Sequence, residues 1–255
     1  MYIDTHAHLM FDKFKADLAE VISRAKEAGV EKIINIGCDL KSCEQAVKML
    51  QDDEMFYATV GLHPYDSLDA SEELMEKWEE LIKDNKRIVA VGECGLDYVK
   101  AKVSKEDQEK AFRMHLELAE KVHLPVVIHN READDDCMEI LDDYRVHAVF
   151  HCYGGSAEFA RKAWYKGYYT SFTGIITYPN AKELLEVIDE MPMDKFMIES
   201  DCPFLAPQSH RGERNEPSFI VEIAEKIAEV KNLNLHEIER ISSENAMEFF
   251  TRLSK

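Results

Sequence analysis

The chain has 255 residues, 45% of them hydrophobic and 32% charged, with 50 acidic against 31 basic side chains and a net charge of −19. A chain of this length can bury roughly three quarters of its surface in a single α/β domain, and the acidic excess argues against broad electrostatic adhesion to nucleic acid or anionic membranes. A polyanionic substrate held in a small pocket stays open, because clustered cations can supply positive potential locally.

Short runs rich in Val, Ile, Phe and Tyr alternate with amphipathic segments along the whole sequence. The predicted strands are Tyr2 to His8, Lys32 to Gly37, Phe56 to His63, Ile88 to Glu93, Pro125 to Asn130, His147 to Cys152, Tyr168 to Gly174 and Phe196 to Asp201. The predicted helices between them are Lys13 to Ala28, Lys41 to Gln51, Ser71 to Asp84, Lys105 to Val122, Asp134 to Tyr144, Ala157 to Lys166 and Ala181 to Glu190, with further helices from Pro217 onward. In the first, Phe14, Leu18, Val21, Ile22 and Ala25 recur at helical spacing and Gly29 supplies a C-cap. Eight β-then-α units predict a (β/α)8 TIM barrel. The structural rival, an open doubly wound sheet, lacks a Gly-rich nucleotide loop after the first strand.

The seven prolines are scattered and no linker or low-complexity tract interrupts the pattern, so one domain over residues 1–255 is expected. The first segment reads as a strand and not as a targeting signal, and no apolar run approaches membrane-spanning length, which gives the expectation of a cytoplasmic protein with no membrane contact and no obligate protein partner. The six cysteines are expected as reduced thiols. Cys94, Cys152 and Cys202 each follow a candidate ligand, so on a strand their sulfurs face the opposite way and read as small buried hydrophobes.

The chemistry is concentrated at the predicted strand ends. In Asp4-Thr5-His6-Ala7-His8 the two imidazoles lie two residues apart, on one face of an extended chain, and can grip one metal ion. Glu93, His129, His151 and Asp201 end four other strands. In a barrel, the C-terminal ends of all strands converge on the active-site face. These six residues exceed what one ion needs and suit two divalent cations about 3.5 to 4 Å apart sharing a carboxylate. Glu93 is the best bridge, since Gly92 and Gly95 leave room around it. Such His/carboxylate sites accept Zn, Mn or Mg.

Taken together, the segments Asp4-Thr5-His6-Ala7-His8-Leu9, Gly61-Leu62-His63-Pro64, Gly92-Glu93-Cys94-Gly95-Leu96-Asp97-Tyr98, Pro125-Val126-Val127-Ile128-His129, His151-Cys152-Tyr153-Gly154-Gly155-Ser156, Glu199-Ser200-Asp201-Cys202-Pro203 and Arg211 to Pro217 resemble the TatD-type DNases, a metal-dependent branch of the amidohydrolase superfamily. The resemblance implies that His6, His8 and Asp201 hold one cation, His129 and His151 a second, and that Glu93 bridges them. It further implies hydrolysis of DNA phosphodiester bonds, commonly at a 3′ end, with single-stranded DNA ends as the partner. The chain departs from the family's usual residues at Gly154 (more often Ser), His115 (more often Gln) and Glu213 (more often Lys). Glu213 replaces an ammonium by a carboxylate and weakens phosphate attraction; His115 lies on a predicted helix, where it affects packing more than chemistry.

Within this reading Asp201 is the general base, with the role of ligand alone as its alternative. His63, between Leu62 and Pro64, faces the mouth as a phosphate-contacting or proton-donating group, or else is a structural histidine. Arg131, Arg211 and Arg214 can fork onto phosphate oxygens or brace loops. Tyr98, Tyr153 and Phe204 can stack a terminal base or simply pack, and Glu199 can orient a ligand. An amide, lactone or aminoacyl-ester hydrolase on the same barrel is the rival enzyme, and a metal-binding scaffold the rival of another class. A carboxylate at position 93, where many such hydrolases bridge with a modified lysine, favours the nuclease branch.

Overall fold

The computed structural model describes residues 1–253. Eight strands, β1 (Tyr2–Ala7), β2 (Val30–Asn35), β3 (Phe56–Val60), β4 (Ile88–Asp97), β5 (Val126–Arg131), β6 (Ala148–Phe150), β7 (Tyr169–Phe172) and β8 (Phe196–Ile198), form one sheet in the order of the chain. The pairings β1 to β2, β3 to β4, β4 to β5, β5 to β6 and β7 to β8 are parallel. Helices alternate with them: α1 (Leu18–Glu27), α2 (Leu40–Met49), α3 (Glu72–Asp84), α4 (Lys105–Val122), α5 (Asp134–Asp142), α6 (Ala157–Tyr165), α7 (Lys182–Glu190), α8 (Ile220–Lys231) and α9 (Leu235–Phe249). An Ala7–Cys202 bridge joins β1 to the segment after β8. This is the (β/α)8 barrel fold. Among the described residues, no helix is long and apolar enough to cross a membrane.

The chain forms two compact units. The first comprises Met1–Asn35 and Cys152–Glu248. Its core includes Ile3, Phe14, Ile33, Ile34, Phe172 and Phe196, each buried and each contributing about 1.5–3 kcal/mol for side chains of this size. The expected first helix is interrupted: Asp12–Phe14 form a separate 3-10 turn, and Asp17, at φ −145° and ψ 27°, lies outside helical geometry before α1 begins. Phe14 is buried as its spacing requires, but burial spacing does not demand a continuous helix. After the short β8, Asp201 N–H donates to the His6 carbonyl and His8 N–H to the Cys202 carbonyl, each at 2.8 Å. The loop bearing Asp201 is thereby sewn to β1. Asp201 itself has φ +53°, a left-handed conformation that Asp tolerates better than most side chains.

The second unit comprises Ile36–His151 and the described residues from Phe249 onward, with Phe56, Phe112, Phe150 and Phe250 buried. Side-chain caps start three of its helices. Asp39 and Ser42 form a reciprocal box at α2, and Ser71 and Ser104 accept from Leu74 and Asp107 N–H at α3 and α4, each worth about 1 kcal/mol. Strand β4 runs four residues past its expected end at Glu93, because Gly95, Leu96 and Asp97 continue in register with His129, Asn130 and Arg131. Gly95 permits this: at φ +137°, a Cβ there would lie 2.1 Å from the His129 carbonyl oxygen. Near the C-terminus, Arg252 donates to the carbonyls of Ile82, Asn85 and Ile88, tying that segment to the end of α3 and the start of β4.

Candidate active site and metal ligands

In the first unit β1 delivers His6 and His8 to one side, as period-two geometry requires. Their Nε2 atoms are 3.3 Å apart and lie 3.6 and 3.4 Å from Asp201 Oδ1. Two imidazole nitrogens facing each other and a carboxylate oxygen form a donor set that a divalent cation satisfies and that hydrogen bonds alone satisfy poorly. Asp4 supports this cluster from within β1. Its Oδ1 accepts from the N–H groups of Ser200 (2.9 Å) and His6 (3.3 Å), and its Oδ2 accepts from the Ser200 hydroxyl at 2.6 Å. Burial pushes the Asp4 carboxyl up to about 7 despite these bonds.

In the second unit three imidazoles converge on one oxygen. Glu93 Oε1 lies 2.8 Å from His151 Nε2, 3.0 Å from His129 Nδ1 and 3.6 Å from His63 Nε2. His129 Nδ1 is itself 3.2 Å from His63 Nε2 and 3.4 Å from His151 Nε2. So many nitrogen lone pairs and N–H groups around one carboxylate oxygen again fit a cation. The ligand atoms of His6, His8 and Asp201, and likewise those of His63, Glu93 and His129, all lie within 4.8 Å of one another. Every metal ligand expected from the sequence therefore falls in one of two chemically coherent groups.

The family described as TatD related DNase matches residues 3–251. The chain belongs to the TatD family. YabD of Bacillus subtilis, described as an uncharacterized metal-dependent hydrolase, is 43% identical over 253 residues, covering 98% of this chain and 99% of its own length. TatD of Mycobacterium tuberculosis, described in the same words, is 31% identical over 255 residues and 96% of each chain. Among solved structures, YjjV, a TatD homologue from Escherichia coli, superposes with a TM-score of 0.89 at 28% identity and 98% coverage of both chains. This TatD protein is accordingly a metal-dependent hydrolase.

One residue of this TatD site has no role in the sequence reading. Asp97 is buried at the end of β4, with Oδ2 accepting from His129 Nε2 at 3.3 Å and from the Tyr65 hydroxyl at 3.2 Å. Its Oδ1 takes the N–H groups of Val99 and Lys100 at 2.9 and 2.7 Å. Burial opposes its charge, but the bonds from His129 and these backbone groups outweigh it and hold the carboxyl well below the usual range. Reciprocally, burial disfavours a charged His129, yet Asp97 and Glu93 together raise its pKa. A carboxylate gripping the far nitrogen of a ligating histidine fixes the tautomer and ring orientation. The signal was present, since Glu93, Gly95 and Asp97 share one face of a strand.

His63 belongs to the second group, and burial lowers its pKa to about 4. It is therefore neutral at pH 7 and offers a single N–H, not a formal positive charge. His115, buried in α4, is fixed on both nitrogens: Nδ1–H donates to the Ala111 carbonyl at 2.7 Å and Nε2 accepts Leu62 N–H at 3.0 Å. Its packing role extends to the backbone beside His63. Glu199 Oε1 accepts Cys152 N–H at 2.7 Å, orienting the turn after His151.

Two of the expected substrate contacts are engaged within the fold, as the bracing and packing alternatives have it. Arg214 forks onto Asp17 at 2.7 and 2.6 Å, donates to the Lys13 carbonyl and stacks on Phe14, so its guanidinium braces the turn after β1. Tyr153 is buried, its hydroxyl donating to the Ser156 carbonyl at 2.5 Å, and it packs edge-on against Phe172. Tyr98 is also engaged, its hydroxyl donating to Asp136 at 2.7 Å with Glu109 Oε1 at 3.3 Å. Arg131 is exposed at the end of β5, and Arg211 lies 3.9 Å above the Tyr178 ring. Glu213 meets His210 Nδ1 at 2.9 Å. Cys94 and Cys202 are buried as expected, whereas Cys152 is only partly covered, and its backbone is left-handed at φ +46°.

Proposed function

We propose that this protein hydrolyses DNA phosphodiester bonds, removing nucleotides from the 3′ end of single strands. Support comes from the two imidazole-carboxylate groups, one around Asp201 Oδ1 and one around Glu93 Oε1, in a chain that belongs to the TatD family. Two divalent ions, Mg, Mn or Zn, would be held, one by His6, His8 and Asp201 and the other by His129 and His151, with Glu93 assigned to both by the family resemblance. When bound, such ions lower the pKa of a coordinated water and neutralise charge gathering on a phosphoryl oxygen.

The side chains supply what remains. Asp201 takes the proton of the attacking water, from a loop fixed to β1 by two backbone hydrogen bonds. Asp97 keeps His129 in one tautomer. Neutral His63 places an N–H where a phosphate oxygen docks, and Arg131 and Arg211 add the cationic forks that the net charge of −19 otherwise makes scarce.

The test incubates 5′-labelled and 3′-labelled single-stranded DNA and RNA separately with metal-depleted protein plus each metal in turn. Stepwise shortening of the 5′-labelled DNA, with mononucleotide released from the 3′ label and only when metal is present, is the expected outcome. Intact strands alongside metal-dependent turnover of an amide, lactone or aminoacyl ester would assign the site to that rival chemistry.

A further inference from the structure

We infer that Phe204, with Phe11 and Lys13 beside it, forms a stacking seat for the nucleobase next to the phosphate being cleaved, so that the enzyme recognises a base and not only a sugar-phosphate end. The inference rests on the nuclease reading above. Its first observation is position: the Phe11 ring lies parallel to the ligand His8 with centroids 4.9 Å apart, and Phe204 meets His8 edge-on at 6.1 Å and Phe11 at 6.2 Å. The aromatic corner therefore begins at the metal ligand itself. The second is exposure. Phe204 is 44% exposed, a cost in apolar hydration that packing would have removed. A flat base laid on the open part of the ring would recover it, and base-aromatic stacking tolerates any base.

The third observation is rigidity. Phe204 N–H donates to the Asp201 carbonyl at 2.9 Å, and its own carbonyl accepts from buried Asn215 Nδ2 at 2.6 Å. Asn215 is fully engaged, giving its other Nδ2 hydrogen bond to the Ser200 carbonyl and accepting Glu216 N–H on Oδ1. On the other side, Arg214 pins the turn that carries Lys13 by donating to the Lys13 carbonyl and to Asp17. Lys13 Nζ stands 5.3 Å from the Phe204 ring centre, within reach of the phosphate that a stacked nucleotide brings. An exposed ring on a backbone fixed from both sides is organised for a ligand before the ligand arrives.

The experiment compares two 5′-labelled single-stranded oligonucleotides that differ only in their 3′-terminal residue, one with a base and one abasic, using the metal-loaded full chain. Wild type is expected to show a KM about tenfold lower for the base-bearing strand, a ratio equivalent to about 1.4 kcal/mol. Phe204→Leu should bring that ratio close to one, and Phe204→Tyr should keep it. A readout independent of turnover uses a phosphorothioate strand ending in 2-aminopurine, whose fluorescence falls on stacking with wild type and with Phe204→Tyr but not with Phe204→Leu. Equal KM values for the two strands with wild type would overturn the inference even if the leucine variant misfolds. So would a fluorescence change that survives in a folded Phe204→Leu protein. Hydrolysis of neither strand would instead remove the nuclease reading, and the stacking seat with it.

Discussion

At the scale of single residues, the grouping of imidazoles with carboxylates was legible because strand geometry has a period of two and because such side chains at strand ends have few structural uses. The shared face of His6 and His8 follows from that period, and the recurrence of ligand types at other strand ends made them candidates. Asp97 obeys the same rule from Glu93, but the expected strand stopped at Glu93, and a residue thought to lie in a turn carries no facing information. The bracing partner of Arg214 was not legible for a different reason: Asp17 is 197 residues away in sequence, and a long-range ion pair leaves no local pattern. The hydrogen bond between Asp97 and His129 gives a direct prediction. Asp97→Asn keeps the volume but loses the charge that selects one His129 tautomer, so metal affinity should fall about 10- to 100-fold with the fold intact. Metal titration of the purified variant checks this, and an affinity equal to wild type would mean that Asp97 serves only the Val99-Lys100 turn.

At the scale of elements, existence and type were legible and ends less so. Helix α4 begins and ends where its pattern places it, because Ser104 caps one end and His123 closes the other in left-handed geometry. Strands β6 and β8 end at Phe150 and Ile198, short of their expected ends at Cys152 and Asp201, although the N–H groups of His151 and Asp201 still donate to the Ile128 and His6 carbonyls. The loop of Arg211 to Pro217 is held to α1 and the residue before it by two ion pairs, Arg24 with Glu216 at 2.6 Å and Arg214 with Asp17. Burial opposes the Glu216 charge, but the Arg24 hydrogen bonds outweigh it and depress the pKa. A depressed carboxylate stabilises the fold above its unfolded value of about 4.3 and loses that contribution as pH falls through the folded value. Arg24→Met should therefore cost roughly 1 kcal/mol at pH 7, with the deficit shrinking as pH drops below about 4.3. Denaturant melts of both proteins across that range measure it; a deficit that is constant or grows in acid contradicts the pairing.

At the scale of the whole molecule, eight alternating units made the barrel fold readable, since few folds repeat β-then-α eight times in one sheet. Charge was also legible, and it sets how substrate is held. On the proposed nuclease reading, a net charge of −19 leaves affinity to a few phosphate contacts near the imidazole-carboxylate groups and not to a basic groove. Each phosphate neutralised on a single strand contributes about 0.7 to the slope of log affinity against log salt, so the slope for a non-hydrolysable strand should be shallow and nearly independent of length. Affinity that climbs with length and collapses in salt would require a basic track along the surface. The proposed chemistry depends most directly on bound metal. The decisive measurement adds Mg, Mn or Zn stepwise to metal-free protein and follows both bound metal, by elemental analysis, and release of 3′ nucleotides, in wild type and in Glu93→Gln. Wild type should reach full turnover at about two equivalents, and the variant should bind less metal and release no nucleotide. A Glu93→Gln protein that binds two ions and still degrades DNA, or a wild type that degrades DNA with none, would contradict it.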